Sequence, residues 1–87
     1  MKFQRNSQVF SRLIEGEWIL LKQNSTYYYR LNETAGFLWE KLGKQKTPED
    51  LLKSIASTYK VEKTQVKKDV DNFLKSGLKY GFILLKN

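Results

Sequence analysis

"TYYYRLNETAGFLWEKL", residues 26–42, contains the change of period on which the fold turns. Thr26–Leu31 is a β-branched and aromatic run suited to a strand. From Ala35 onward the apolar residues Ala35, Leu38, Trp39 and Leu42 recur at helical spacing until Gly43. Asn32, at the junction, is a preferred helix N-cap. Strand alternation sends Tyr27, Tyr29 and Leu31 to one face and Tyr28 and Arg30 to the other. Leu31 immediately precedes the helix and belongs to the core, so Tyr29 shares its inward face.

Working outward from this stretch, "VFSRLI" (9–14) and "EWILLK" (17–22) flank Glu15-Gly16, a hairpin connection in which Gly16 supplies positive φ. Gln23-Asn24-Ser25 then turns the chain into 26–31. These three runs predict an antiparallel meander with 17–22 in the middle and 26–31 at an edge. On the C-terminal side, Thr47-Pro48-Glu49-Asp50 opens a helix: Thr caps, Pro takes the first helical position, and the acids face the positive end of the dipole. Leu51, Leu52, Ile55, Ala56 and Tyr59 form its buried stripe. A third helix runs over 62–80, with Val66, Val70, Phe73, Leu74 and Gly77 on one arc. Gly81 is a left-handed C-cap, and "FILL" (82–85) is a final apolar strand or tail. The expected class is α+β, a single domain over 1–87 with a three-stranded N-terminal sheet, three helices and a terminal apolar segment.

Composition excludes much chemistry. Among 87 residues there is no cysteine and no histidine, so disulfides, thiolate metal sites, imidazole ligands and the commonest general base are all missing. The remaining acid/base candidates are nine carboxylates. Glu49 and Asp50 have a capping explanation, and Asp69 and Asp71 diverge on a helix. No glycine-rich phosphate loop or nucleophile elbow is present. The reading is therefore non-catalytic, with no cofactor. The apolar runs Trp18–Leu21 and Phe82–Leu85 are too short for a membrane span, and residues 1–10 lack a signal core, so a cytoplasmic protein is expected.

The net charge of +7 fits either a lysine-rich solubilising surface or a negatively charged partner. A winged-helix DNA-binding protein using helix 62–80 is the alternative reading, with Lys63, Thr64, Gln65, Lys67 and Lys68 at its leading end. Glu62, Asp69 and Asp71 on the same helix argue against a phosphate-facing surface. So does the confinement of all three arginines (Arg5, Arg12, Arg30) to the strand region. A base-stacking platform would need the tyrosine rings turned to solvent along a basic groove. Strand 26–31, with no proline and only Arg30 as a charge, is instead an edge suited to accept an added strand. That same edge also allows pairing with a second copy. Gly77, on the core arc of a helix, costs about 1 kcal/mol relative to Ala. It is read either as tolerated drift or as room left beside Leu74 for another chain.

Tyr29, Leu31, Asn32, Thr34, Ala35, Trp39, Thr47, Val66, Asp69, Val70, Phe73, Leu74, Gly81, Phe82 and Ile83, in that order and spacing, resemble the PqqD-like family. These are the peptide chaperones of pyrroloquinoline-quinone biosynthesis and their relatives, also called RiPP recognition elements. The resemblance runs from about Val9 onward and implies a winged helix-turn-helix fold. It also implies binding of the leader segment of a ribosomally made precursor peptide, added as a strand between the third β-strand and the third helix. On this chain it implies backbone pairing along Thr26, Tyr27, Tyr28, Tyr29 and Arg30. The implied side-chain contacts come from Tyr27, Tyr28 and Arg30 and from a helical flank of Lys67, Val70, Asp71, Leu74 and Leu78. The implied partners are an acidic leader and a separate leader peptidase, as in lasso peptide systems, or a radical S-adenosylmethionine enzyme. Gly77 departs from the family, whose members carry a larger apolar residue there.

Overall fold

A computed structural model describes residues 1–86. The order is β1 (Lys2–Arg5), β2 (Val9–Ile14), β3 (Glu17–Lys22), β4 (Tyr28–Arg30), α1 (Glu33–Lys41), α2 (Pro48–Tyr59), α3 (Lys63–Tyr80) and β5 (Ile83–Lys86). The class is α+β, with three helices and two antiparallel sheets. One sheet is three-stranded in the order β2-β3-β4; the other joins β1 to β5.

The local signals act where the sequence places them. Glu15 and Gly16 both adopt positive φ (50° and 83°), the backbone twist of a tight hairpin, and register Ile14 opposite Glu17. Asn32 accepts the Ala35 N–H at 2.8 Å. Thr47 and Asp50 form a reciprocal capping box at the start of α2, with Pro48 just inside. Gly81 caps α3 in the left-handed region at φ 79°. Lys60 takes the same conformation at the end of α2 without being glycine.

Two segments differ from the sequence reading. Residues 2–5 carry no alternating pattern, yet they form β1, so a fourth strand precedes the helices. Its register pairs Phe3 with Leu85 and Arg5 with Ile83, so the terminal apolar segment is a strand tied to the start of the chain. This pairing joins distant parts of the sequence and leaves no local signature. Phe3 is buried in the core. Arg5 donates from Nε and Nη2 to the Trp39 carbonyl (2.9 and 2.6 Å), with its guanidinium 4.7 Å over the Trp39 ring. Partial burial lowers the Arg5 pKa, against the pull of Glu40.

The second difference concerns Gly77. A Cβ added there would lie 2.6 Å from Ile83 Cγ1 and 3.0 Å from Ile83 Cβ. The space beside Leu74 is therefore filled by this chain's own β5, not left for another chain. Gly77 lets α3 and β5 approach each other, which offsets its poor helix propensity. Leu20, Leu38, Trp39, Leu42, Leu51, Ile55, Val70 and Ile83 form the centre of the core.

Candidate functional site

β4 pairs with β3 on one side only. Its register sets Ile19 opposite Arg30, Leu20 opposite Tyr29 and Leu21 opposite Tyr28. The Leu31 N–H donates to the Trp18 carbonyl at 2.9 Å, which makes 18/31 a hydrogen-bonded pair. Antiparallel ladders alternate, so 20/29 is the next such pair, and the N–H and C=O of Tyr28 and Arg30 point away from β3. Among the described residues no strand occupies that side. The C-terminal strand, the nearest candidate to seal it, pairs with β1 instead.

Beside this edge lies a cleft of about 350 Å³ between β4, the first turn of α1 and one flank of α3. Leu20, Leu31, Ala35, Trp39 and Ile83 give it an apolar lining. Asn32, Thr34, Asp69, Asn72 and Ser76 supply its polar groups. An aromatic cluster walls it. Tyr29 meets Phe82 edge-on with centroids 4.5 Å apart and leans on Tyr80 at 5.3 Å. The inward-facing Tyr29 read from alternation is therefore a cleft wall. Asn32 fixes where the strand stops and the helix starts, and so fixes the angle between β4 and α1.

The structure separates the residues named from sequence. The strand is shorter than 26–31: Thr26 and Tyr27 precede it, and the Tyr27 N–H is taken by Ser25 Oγ at 3.1 Å. Tyr28 is exposed on the outer face of the sheet. Arg30 is ion-paired there with Glu17, which raises its pKa through their hydrogen bond, and it also borders the cleft. On α3, Val70 and Leu74 are buried in the core, and Lys67 and Asp71 pair with each other at 2.9 Å on the surface. Leu78 is exposed, and none of these five lines the cleft.

The flank that does line it carries Asp69, Asn72, Phe73, Ser76 and Tyr80, with Gly77 at its inner edge. At about 100° per residue, this set lies on one side of the buried line Val70–Leu74–Gly77, and Lys67, Asp71 and Leu78 of the expected set lie on the other. The i, i+3, i+4 spacing of 69, 72, 73, 76 and 80 was available in the sequence. What it lacked was a way to tell which side of the stripe faces β4. The same surface bears on the DNA-binding alternative. Lys63 and Lys67 of its recognition helix are engaged by Glu49 and Asp71, which weakens a phosphate-contacting role.

Residues 17–83 match the family model described as Coenzyme PQQ synthesis protein D (PqqD). The chain belongs to the PqqD family. No curated protein sequence matches it. Among solved structures, this PqqD-family chain is similar to TbiB1 in complex with the TbiA(beta) leader peptide, with a TM-score of 0.84, 24% identity, and 97% and 98% of the two chains covered. It is also similar to a lasso peptide synthetase B1 complexed with the leader peptide, with a TM-score of 0.79, 26% identity, and 95% and 98% covered. The family match reaches from β3 to the first residue of β5, which includes both walls of the cleft. Among the described residues no group of three or more acidic, His or Cys side chains could hold a metal ion. No described helix is long and apolar enough to cross a membrane.

Proposed function

We propose that this protein is a leader-peptide recognition element that captures the leader segment of a ribosomally synthesised precursor. The leader adds as a strand to β4. The observation that carries this reading is the open edge of β4 beside an apolar cleft. Both solved structures it resembles hold leader peptides, and the family match adds support. The architecture is a winged helix-turn-helix in which α2 and α3 form the helical pair and the β2-β3-β4 meander the wing.

In this mechanism main-chain bonds from Tyr28 and Arg30 supply affinity, and the cleft supplies selectivity. Apolar leader side chains at alternate positions enter beside the Tyr29–Tyr80–Phe82 cluster, against the Phe73–Ser76 flank of α3. Asn72 and Ser76 offer hydrogen bonds along the same wall. Thr26 and Tyr27 join the pairing if the strand lengthens when the leader binds. Lys67, Asp71 and Leu78 contact only leader residues that run past the cleft. The role is delivery without bond-making: the bound precursor is presented to a separate leader peptidase of a lasso peptide system. The chain's +7 charge favours an acidic leader through faster association.

The test is backbone N-methylation of a synthetic leader, one residue at a time. Methylation of N–H groups facing β4 lowers affinity at every second residue, because strand pairing has a period of two. A flat response across the scan rejects strand addition.

A further inference from the structure

Trp39 carries a hydrogen-bond donor that the chain leaves unused. Its side chain is 1% exposed, yet among the described residues its indole Nε1 is the single buried side-chain nitrogen or oxygen with no hydrogen-bond partner. Buried polar groups are paired in the great majority of cases, so an orphaned one calls for a partner from outside the chain. Trp18 makes the contrast: it donates from Nε1 to Glu40 Oε1 at 3.2 Å.

The surroundings of Trp39 narrow where that partner comes from. The Arg5 guanidinium lies 4.7 Å over the ring and donates to the Trp39 carbonyl, which holds the indole in place. A guanidinium has donors only, so it cannot receive the indole proton. On another side Trp39 borders the cleft beneath β4, beside Leu20, Leu31, Ala35 and Ile83, none of which has a polar side chain. A water held among these apolar side chains would find too few polar partners to stay.

We infer that the Nε1–H of Trp39 is a specificity-determining donor inside the cleft, and that its acceptor is a neutral oxygen at the tip of one leader side chain. This rests on the leader-binding reading of the same cleft. Indole N–H donates and never accepts, so the tip offers a lone pair, as an amide carbonyl or a hydroxyl does. The stem that carries it crosses the apolar lining and is hydrocarbon. A carboxylate fits poorly, because it would lose its hydration beside Asp69. The cleft's one basic side chain, Arg30, is already ion-paired with Glu17. The N–H is out of water in the free protein, so its own desolvation does not offset the new bond. That bond should strengthen binding about ten-fold.

The probe is the synthetic leader of the precursor encoded beside this chain's gene, added to the full chain carrying isotope-labelled tryptophan. NMR follows the two indole N–H resonances, assigned with Trp18→Phe, and fluorescence anisotropy gives affinity. The leader is then remade with each neutral acceptor side chain replaced by an apolar counterpart: glutamine by methionine, asparagine by leucine, threonine by valine, tyrosine by phenylalanine. The expected result is a downfield move of the Trp39 resonance at saturation, reversed by one of these replacements, which also weakens binding by the same factor. In Trp39→Phe, which keeps an aromatic ring beside the cleft, that replacement should change affinity no further. If circular dichroism shows Trp39→Phe unfolded, the resonance and the leader replacements decide alone. Leader that binds without moving the Trp39 resonance overturns the inference and leaves leader capture standing. So does a shift that no replacement reverses, since water or main chain then supplies the acceptor. Absence of binding by the wild-type chain removes the leader reading and this inference with it.

Discussion

Substituting Gly77 by Ala sets two measurable terms against each other. In an exposed helix the change would stabilise by about 1 kcal/mol, from helix propensity alone. Here the new methyl would meet Ile83, with Cγ1 at 2.6 Å and Cβ at 3.0 Å. Ile83 is 1% exposed and branched at the clashing carbon, so it has no free rotamer to retreat into. Overpacking of this kind costs about 1–3 kcal/mol. Because Ile83 Cβ itself is in the way, β5 must shift, which places the cost in the upper half of that range. The net expectation is destabilisation by about 1–2 kcal/mol, or a fall in Tm of roughly 4–8 °C per kcal/mol. Urea denaturation at constant m-value measures it. Ile83→Val removes the nearest atom, Cδ1, and alone costs about 0.5–1.5 kcal/mol. In the Gly77→Ala background it should cost less than it does alone. If Gly77→Ala stabilises the protein, or if the two substitutions are additive, Ile83 does not fill the space beside Gly77.

Three further outcomes are expected. Arg5→Ala removes two charge-assisted hydrogen bonds to the Trp39 carbonyl and the stack above its ring, and should destabilise by about 1.5–3 kcal/mol in thermal or urea unfolding. Tyr29→Ala opens the wall between the cleft and Phe82; anisotropy titration should show at least ten-fold weaker leader capture, with the fold retained by circular dichroism. Bonds from Thr47 hold the Asp50 carboxyl below its usual pKa, so its stabilisation is complete above the unfolded value of about 4 and is lost as pH falls through the lowered folded value. Asp50→Asn should therefore flatten the acid limb of the stability-versus-pH curve and leave its neutral region little changed in slope.

What could be read from sequence was whatever a few neighbouring residues decide. Asn32, Thr47-Pro48, Glu15-Gly16 and Gly81 act within one turn of themselves, and each does in the structure what its type and place imply. Alternation likewise sent Tyr29 inward and Tyr28 and Arg30 outward, and left the third run of the meander at the sheet edge. The misread features are all tertiary. "KFQR" becomes a strand because Ile83–Lys86 lies beside it, and no local pattern announces a partner at the other end of the chain. Gly77 left two readings open because Ile83 arrives from outside its helix. The flank of α3 that lines the cleft is the mirror, across the buried stripe, of the flank that the family resemblance implies. Periodicity identifies the stripe itself, but the direction in which β4 approaches is set by how α1 turns away from the strand. The uncovered sheet face has no signature in the sequence for the same reason: Phe10 and Ile14 are ordinary strand residues until it is clear on which side the helices pack.

The central claim, that a leader strand completes the sheet at β4, makes a residue-by-residue prediction for amide hydrogen exchange. Tyr29 and Leu31 already bond to β3, so saturating leader should leave their exchange little changed. Tyr28 and Arg30 have N–H groups turned to the open side and should become strongly protected. Protection at 28 and 30 that skips 29 and 31 is the predicted result. Leader that binds without protecting Tyr28 and Arg30 would contradict the account.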